Sequence, residues 1–139
     1  MIRSALIVLA SVLLPLSGQA QVRDSVFADY ASYETFVNTH VMARDFMPLV
    51  QDLGGRDEYT EADLAGITRS LRMAFPRDFE NAALFKLVPL ENGFFQEARA
   101  YWTGEQYGWY YAMLHDTGAE LVVINFTLNT DVAVILAKF

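Results

Sequence analysis

Five residues have the side chains to do chemistry together: Lys86, Glu97, Arg99, Tyr110 and Asn125. The strand register worked out below gathers them in the middle of one sheet face. Two cations, a carboxylate, a phenol and an amide are the convergent polar groups that line a small-molecule pocket when a twisted sheet curves. The same set also describes a half-solvated sheet face carrying cross-strand ion pairs. With Leu84, Leu90, Phe95 and Leu114 on that face, an exposed apolar contact patch for another protein is a third reading. Arg99 would lie opposite Tyr110, within cation–π reach. Tyr101 would cover Gly108.

The remaining titratable residues carry less. The two histidines are His40 and His115. His115 would pair across a hairpin with Glu120 and is followed by Asp116, a set compatible with general-base or metal chemistry. Its place at a hairpin tip favours an exposed turn ion pair instead. His40 falls on the apolar stripe of a helix and is expected to be a satisfied core histidine. Asp57, Glu58, Glu61 and Asp63 are closely spaced but lack the D-x-[DN]-x-[DN]-G pattern of a calcium loop. Helix capping accounts for Glu61 and Asp63. The serines Ser25, Ser32 and Ser70 sit in no G-x-S-x-G elbow, and the chain has no G-x-G-x-x-G and no P-loop. No catalytic residue, metal ligand or cofactor site is assigned.

The elements that would position these residues are strands over about Ala82–Leu90, Phe94–Trp102, Tyr107–His115 and Glu120–Asn129. Asn92-Gly93 between apolar runs is a strong hairpin signal. Thr103–Gln106, with Gly104, and Asp116–Gly118 supply two further turns. A two-residue Thr117-Gly118 loop sets Val122, Ile124, Phe126 and Leu128 opposite Met113, Tyr111, Trp109 and Tyr107. A three-residue loop would oppose them with Ala112, Tyr110 and Gly108, a poorer match. Closing Trp102 on Tyr107 puts Ala100 opposite Trp109 and Ala98 opposite Tyr111, small against large. The Asn92-Gly93 turn adds Leu87 opposite Ala98 and Phe85 opposite Ala100. One face then reads Phe85, Leu87, Phe94, Trp102, Trp109, Tyr111, Met113, Val122, Ile124 and Phe126. It is the face two helices are expected to cover, leaving the mixed polar face behind it.

Those helices precede the strands. From Tyr30 to Leu53, Tyr33, Phe36, Val37, His40, Val41 and Arg44 recur at three- and four-residue steps. Pro48 predicts a kink or break, and Gly54-Gly55 a stop. Arg56–Tyr59 reads as a charged connector. Thr60-x-x-Asp63 is a capping-box variant opening a second helix, whose buried face is Leu64, Ile67, Leu71 and Phe75 and which Pro76 ends. Gln21–Asp29 reads as a frayed lead-in. Val132, Ile135, Leu136 and Phe139 lie on one helical face, while Val132, Val134 and Leu136 also alternate as in a strand; the tail Thr130–Phe139 is read as a short helix in preference to a strand, with Thr130 or Asn129 as its cap.

Met1–Ala20 has the form of a secretory signal: Arg3, an apolar run from Ala5 to Leu16, then Ser17-Gly18-Gln19-Ala20 before a cut after Ala20. Twelve helical residues reach only ~18 Å, short of the ~30 Å hydrocarbon core. Cleavage leaves a single domain over 21–139, with nine basic against 17 acidic residues. An acidic chain without a basic cluster is repelled by phosphate backbones and anionic lipid, so neither nucleic acid nor, after cleavage, membrane is an expected partner. The chain has no cysteine, which rules out disulfides and a lipid-modified Cys anchor. Export without disulfides points to a bacterial periplasm, or a secreted fate.

Two helices followed by a four-stranded antiparallel meander make an α+β two-layer domain with a short C-terminal helix. The amphipathic helix Tyr30–Leu53 and the long hairpins over Ala82–Asn129 loosely resemble small exported domains of the NTF2-like or cystatin-like kind. The NTF2-like resemblance implies a pocket between helix and curved sheet, with Trp109 and Tyr111 in its wall. The Q-x-V-x-G hairpin of cystatin inhibitors is absent. Two functions are expected from this reading. One is a non-enzymatic periplasmic module that binds an envelope protein or itself through the second sheet face. The other is a small-molecule binder, including a lyase or isomerase acting through Glu97, Tyr110 or His115.

Overall fold

The computed structural model of the chain describes residues 23–54 and 58–139. The leader Met1–Ala20 and its cut site, Gly55 of the expected stop, and Arg56 and Asp57 of the connector lie outside them. The first helix is set by Asp29, whose side chain accepts from the Ser32 backbone N–H at 2.8 Å. It spans Tyr30–Met42 (α1) and buries Tyr33, Val37 and Val41. This is the stripe expected from the sequence, but the helix ends earlier than Pro48. Arg44 takes φ 54°, the Asp45 N–H bonds the His40 carbonyl at 2.8 Å, and the Arg44 N–H bonds that of Val41 at 3.1 Å. That is a Schellman stop with Arg where Gly is usual. Arg44 is held there by its own side chain, which bonds Asp78 at 2.7 Å and the Phe75 carbonyl at 3.1 Å. Pro48 falls in the first turn of the next helix, Phe46–Gly54 (α2), where no N–H is missed.

The third helix, Glu61–Ala74 (α3), opens on the expected capping box between Thr60 and Asp63. It buries Leu64 fully and Ile67 and Leu71 in part, and Phe75 follows it into the core. Asp131 caps the short helix Val132–Leu136 (α4), with Asn129 holding the Asp131 N–H. No helix among the described residues is long and apolar enough to cross a membrane.

The strands are Val26–Phe27 (β1), Asn81–Pro89 (β2), Phe94–Thr103 (β3), Gln106–Asp116 (β4) and Leu121–Asn129 (β5). They form one antiparallel sheet in the order β1-β5-β4-β3-β2. The fold is α+β, with five strands rather than four. The added strand comes from the expected lead-in. Ser25, at φ 63°, bonds the Asp52 and Leu53 carbonyls and accepts from Val123, which lays β1 against β5.

Register holds in the centre and fails at both flanks. Ala100 faces Trp109, Ala98 faces Tyr111, Arg99 faces Tyr110 and Tyr101 faces Gly108, as expected. The Asn92-Gly93 turn forms with positive φ at both residues, the mirror-type turn of hairpins. Leu90 N–H then bonds the Phe94 carbonyl, which draws β2 one residue out of the expected pairing. Leu87 lies opposite Glu97, and the register shifts again at Phe85. On the other side the loop keeps four residues, so Asp116 pairs with Leu121 and His115 with Val122. A bulge at Ile124 then turns Phe126 opposite Ala112 and Leu128 opposite Tyr110. The even alternation of β5 is thus split between the two faces.

The helices cover the other side of the sheet from the one expected. The main core joins Tyr33, Val37, Val41, Phe46 and Leu49 to Tyr101, Tyr110, Ala112, Leu114, Leu121 and Val123. Of the ten residues expected beneath the helices, Leu87 is half-exposed, Phe126 does join the core, and most of the others face away from α1. On that outward face α4 and Phe139 cover Ala98, Tyr111, Trp109 and Met113. Gly108 belongs to the helix side, where a Cβ would sit 2.8 Å from the Phe79 ring.

Candidate functional site

α1 crosses the centre of β3, and the polar residues of the two elements meet between them. Tyr30, Tyr33 and Glu34 lie three and four residues apart, on one face of α1. Glu97 and Arg99 alternate along β3, and so point to the same side of the sheet. Glu97 is 0% exposed and Arg99 2%. One Glu97 oxygen accepts from the Tyr33 hydroxyl at 2.7 Å and from Arg99 Nε at 2.9 Å. The other accepts from the Tyr30 hydroxyl at 2.6 Å. The second guanidinium arm of Arg99 donates to the Tyr30 hydroxyl and to Glu34. Tyr33 and Tyr110 share a hydrogen bond at 3.0 Å, and the Tyr101 hydroxyl donates to Asn38 at 2.8 Å.

The electrostatics follow from this burial. Loss of water, then the bond to Glu97 and its negative charge, push the Tyr30 phenol far above its usual range. Burial first and the neighbouring Tyr110 and Glu97 second do the same for Tyr33. Burial dominates for Tyr110 and Tyr101. Burial pulls the Arg99 guanidinium downward, but bonds to Glu97 and Glu34 outweigh it and hold the charge firmly. One cation thus serves two carboxylates, and the phenols stay protonated as donors. A buried ion pair endures when its lone pairs and protons are all used. Here Glu97 accepts from three groups, leaving little of it for a substrate.

The five sequence-chosen residues do not stay together. Glu97, Arg99 and Tyr110 meet in this cluster. Lys86 pairs with Ala98 and points to the outward face, its ammonium 4.0 Å from the Phe139 ring centre. Asn125 is exposed opposite Met113, turned outward by the bulge before it. The cation–π contact of Arg99 falls on Tyr30 at 5.8 Å. His115 stacks on Phe94 at 3.9 Å and bonds the Asn92 carbonyl; Glu120 pairs with Arg23 instead. His40 is only half-buried, over Phe36, and pairs with Asp45 at 3.1 Å, so it is not a core histidine. Trp109 and Tyr111, the pocket wall implied by the NTF2-like resemblance, lie on the face away from α1. Among the described residues no three His, Asp or Glu side chains converge on a metal-sized site.

The members that sequence reasoning missed are Tyr30, Glu34 and Asn38. Their signal was a polar stripe on α1 beside its apolar one. Also missed was an open groove of about 450 Å³ beside the cluster, between the start of α1, β2 and the β2–β3 turn. Leu84, Leu87, Leu90, Phe94 and Phe95 line it, with Tyr30 at its inner edge. Leu84, Leu87 and Leu90 are 40%, 54% and 44% exposed. It exists because the one-residue slip of β2 turns Leu87 to the helix side and the second shift at Phe85 keeps Leu84 there, opposite Arg99, where α1 leaves both exposed.

No protein-family model, curated protein or solved structure matches the chain.

Proposed function

We propose that the chain is a non-enzymatic exported binding module, an accessory of the bacterial envelope, whose contact surface is the apolar flank of β2. The observation that carries this is the groove itself: three leucines left 40–54% exposed around one concavity. Contiguous apolar surface on a small domain is characteristic of a docking site. The polar cluster supports the same reading. A general base needs a free lone pair within reach of substrate. Glu97 is sealed under α1 and accepts from Tyr30, Tyr33 and Arg99. It serves to fix α1 on the sheet, and with it the wall of the groove. Export is carried by the leader sequence.

A small-molecule binder is the second reading, favoured by the groove volume, which lies within the ~300–1,000 Å³ of ligand sites. Native mass spectrometry of the protein recovered from its own envelope separates the two. The docking reading expects a protein–protein complex that Leu87→Glu removes. A small mass increment that survives gentle desolvation, with no protein partner, would overturn it in favour of the second.

A further inference from the structure

The apolar groove has a neighbour. A second cleft of about 180 Å³, lined by Asp29, Asp116 and Glu120, shares Tyr30 and Asp116 with it. Asp29 is held ionised by the Ser32 side-chain and backbone bonds. Among the described residues no Lys or Arg lines either cavity, though Arg23 pairs with Glu120. An apolar trough therefore leads to an anionic end, on a chain whose formal charge is −7.

The neighbouring sheet edge limits what fits. β2 is the terminal strand. The Leu90-to-Phe94 bond sets the alternation, so Val88 and Lys86 direct their backbone groups to β3 and Leu87 directs its own to the free edge. On one side of Leu87 stands Pro89, which has no N–H; on the other is the irregularity at Phe85. Proline and a bulge are how edge strands resist long pairing. A second copy adding its own β2 to the sheet is therefore disfavoured. A short extended segment, registered by the one Leu87 backbone pair, is not.

Building on the docking reading, we propose that the groove takes a short extended peptide of a partner protein, with two spaced apolar side chains followed by Lys or Arg. The apolar pair fills the trough, and the cation reaches Asp116 and Asp29.

The test is fluorescence anisotropy with three dye-labelled peptides: acetyl-Leu-Ser-Leu-Arg-Lys-amide, its Glu-Glu counterpart, and acetyl-Gly-Ser-Gly-Arg-Lys-amide. The first should bind best. Asp116→Asn keeps the oxygen that holds the Gly118 N–H. It should cost the first peptide about threefold to fivefold, the worth of one exposed ion pair, and added salt should remove that difference. Leu87→Glu should abolish binding of the first peptide. Equal affinity for the basic and acidic apolar peptides overturns the charge assignment and leaves apolar docking intact. Binding of none of the three, with native mass spectrometry also lacking a partner, overturns both. Self-association that Leu87→Glu abolishes would make a second copy the occupant and overturn the peptide assignment.

Discussion

The two faces of the sheet invert the usual relation between polarity and burial. The face under α1 carries a carboxylate, a guanidinium and two of the phenols of the cluster, yet Glu97, Arg99, Tyr101 and Tyr110 are buried. The opposite face carries both tryptophans, Trp102 and Trp109, and leaves Tyr107 47% and Phe85 43% exposed, each against the Trp109 ring. Summed hydrophobicity would assign the faces the other way. What decides is whether polar groups can satisfy one another when water leaves. Tyr30 and Tyr33 from α1 donate to Glu97, Arg99 closes the charge, and Ala112, Leu114, Leu121 and Val123 are buried beside them on that face. Among the described residues no second long helix meets the outward face; α4 is five residues.

Breaking the buried pair should have the largest effect. Arg99→Ala leaves the buried Glu97 without its cation, and Glu97→Ala leaves the buried Arg99 with only the part-exposed Glu34. Each should lower the denaturation free energy by about 3–5 kcal/mol, read from urea melts. The double replacement Glu97→Leu with Arg99→Met should cost less than either, since no lone buried charge remains. Additive losses would mean that the pair is solvated, and that the face assignment is wrong.

Alkali should act next, through the phenols. An unfolded tyrosine ionises near pH ~10. Tyr30, Tyr33, Tyr101 and Tyr110 hold their protons well above that in the folded chain. Above pH ~10 the unfolded state therefore binds fewer protons, so stability falls as pH rises; below it their contribution is fully present. Phenolate absorbance from these four should appear only together with unfolding. Smooth titration of all seven tyrosines of the chain before unfolding would contradict the cluster.

Two smaller substitutions sharpen the contrast between the faces. Gly108→Ala drives a methyl against Phe79 and Phe75 and should cost about 1–3 kcal/mol. One position earlier on the same strand, Tyr107→Ser points outward and should stay within about 0.5 kcal/mol. Reversed magnitudes would place the core on the tryptophan side.

Much of this was legible in the sequence, though not the face. The strand limits, the Thr60 box, the Tyr33–Val37–Val41 stripe and the β3–β4 register follow from turn residues and periodicity. The flanking registers do not. Phe85 and Ile124 sit where single extra residues shift the ladder, and nothing in their type marks a bulge. The Arg44 stop was hidden because it depends on Asp78 and the Phe75 carbonyl, more than thirty residues away. For the site, Glu97, Arg99 and Tyr110 came together as the β3–β4 register required. Lys86 and Asn125 left with the two slips. The mistake about burial came from treating Glu97 and Arg99 as groups that need water, when the phenols of α1 supply what water would.

The face assignment is tested most directly by the two tryptophans, both on the outward side. Acrylamide quenching of intrinsic fluorescence in the native protein reads their accessibility without any substitution. Both residues are part-exposed in this fold, so native emission should be quenched substantially, at a large fraction of the rate seen in urea. Blue-shifted emission shielded from acrylamide would put Trp102 and Trp109 beneath the helices and contradict the account.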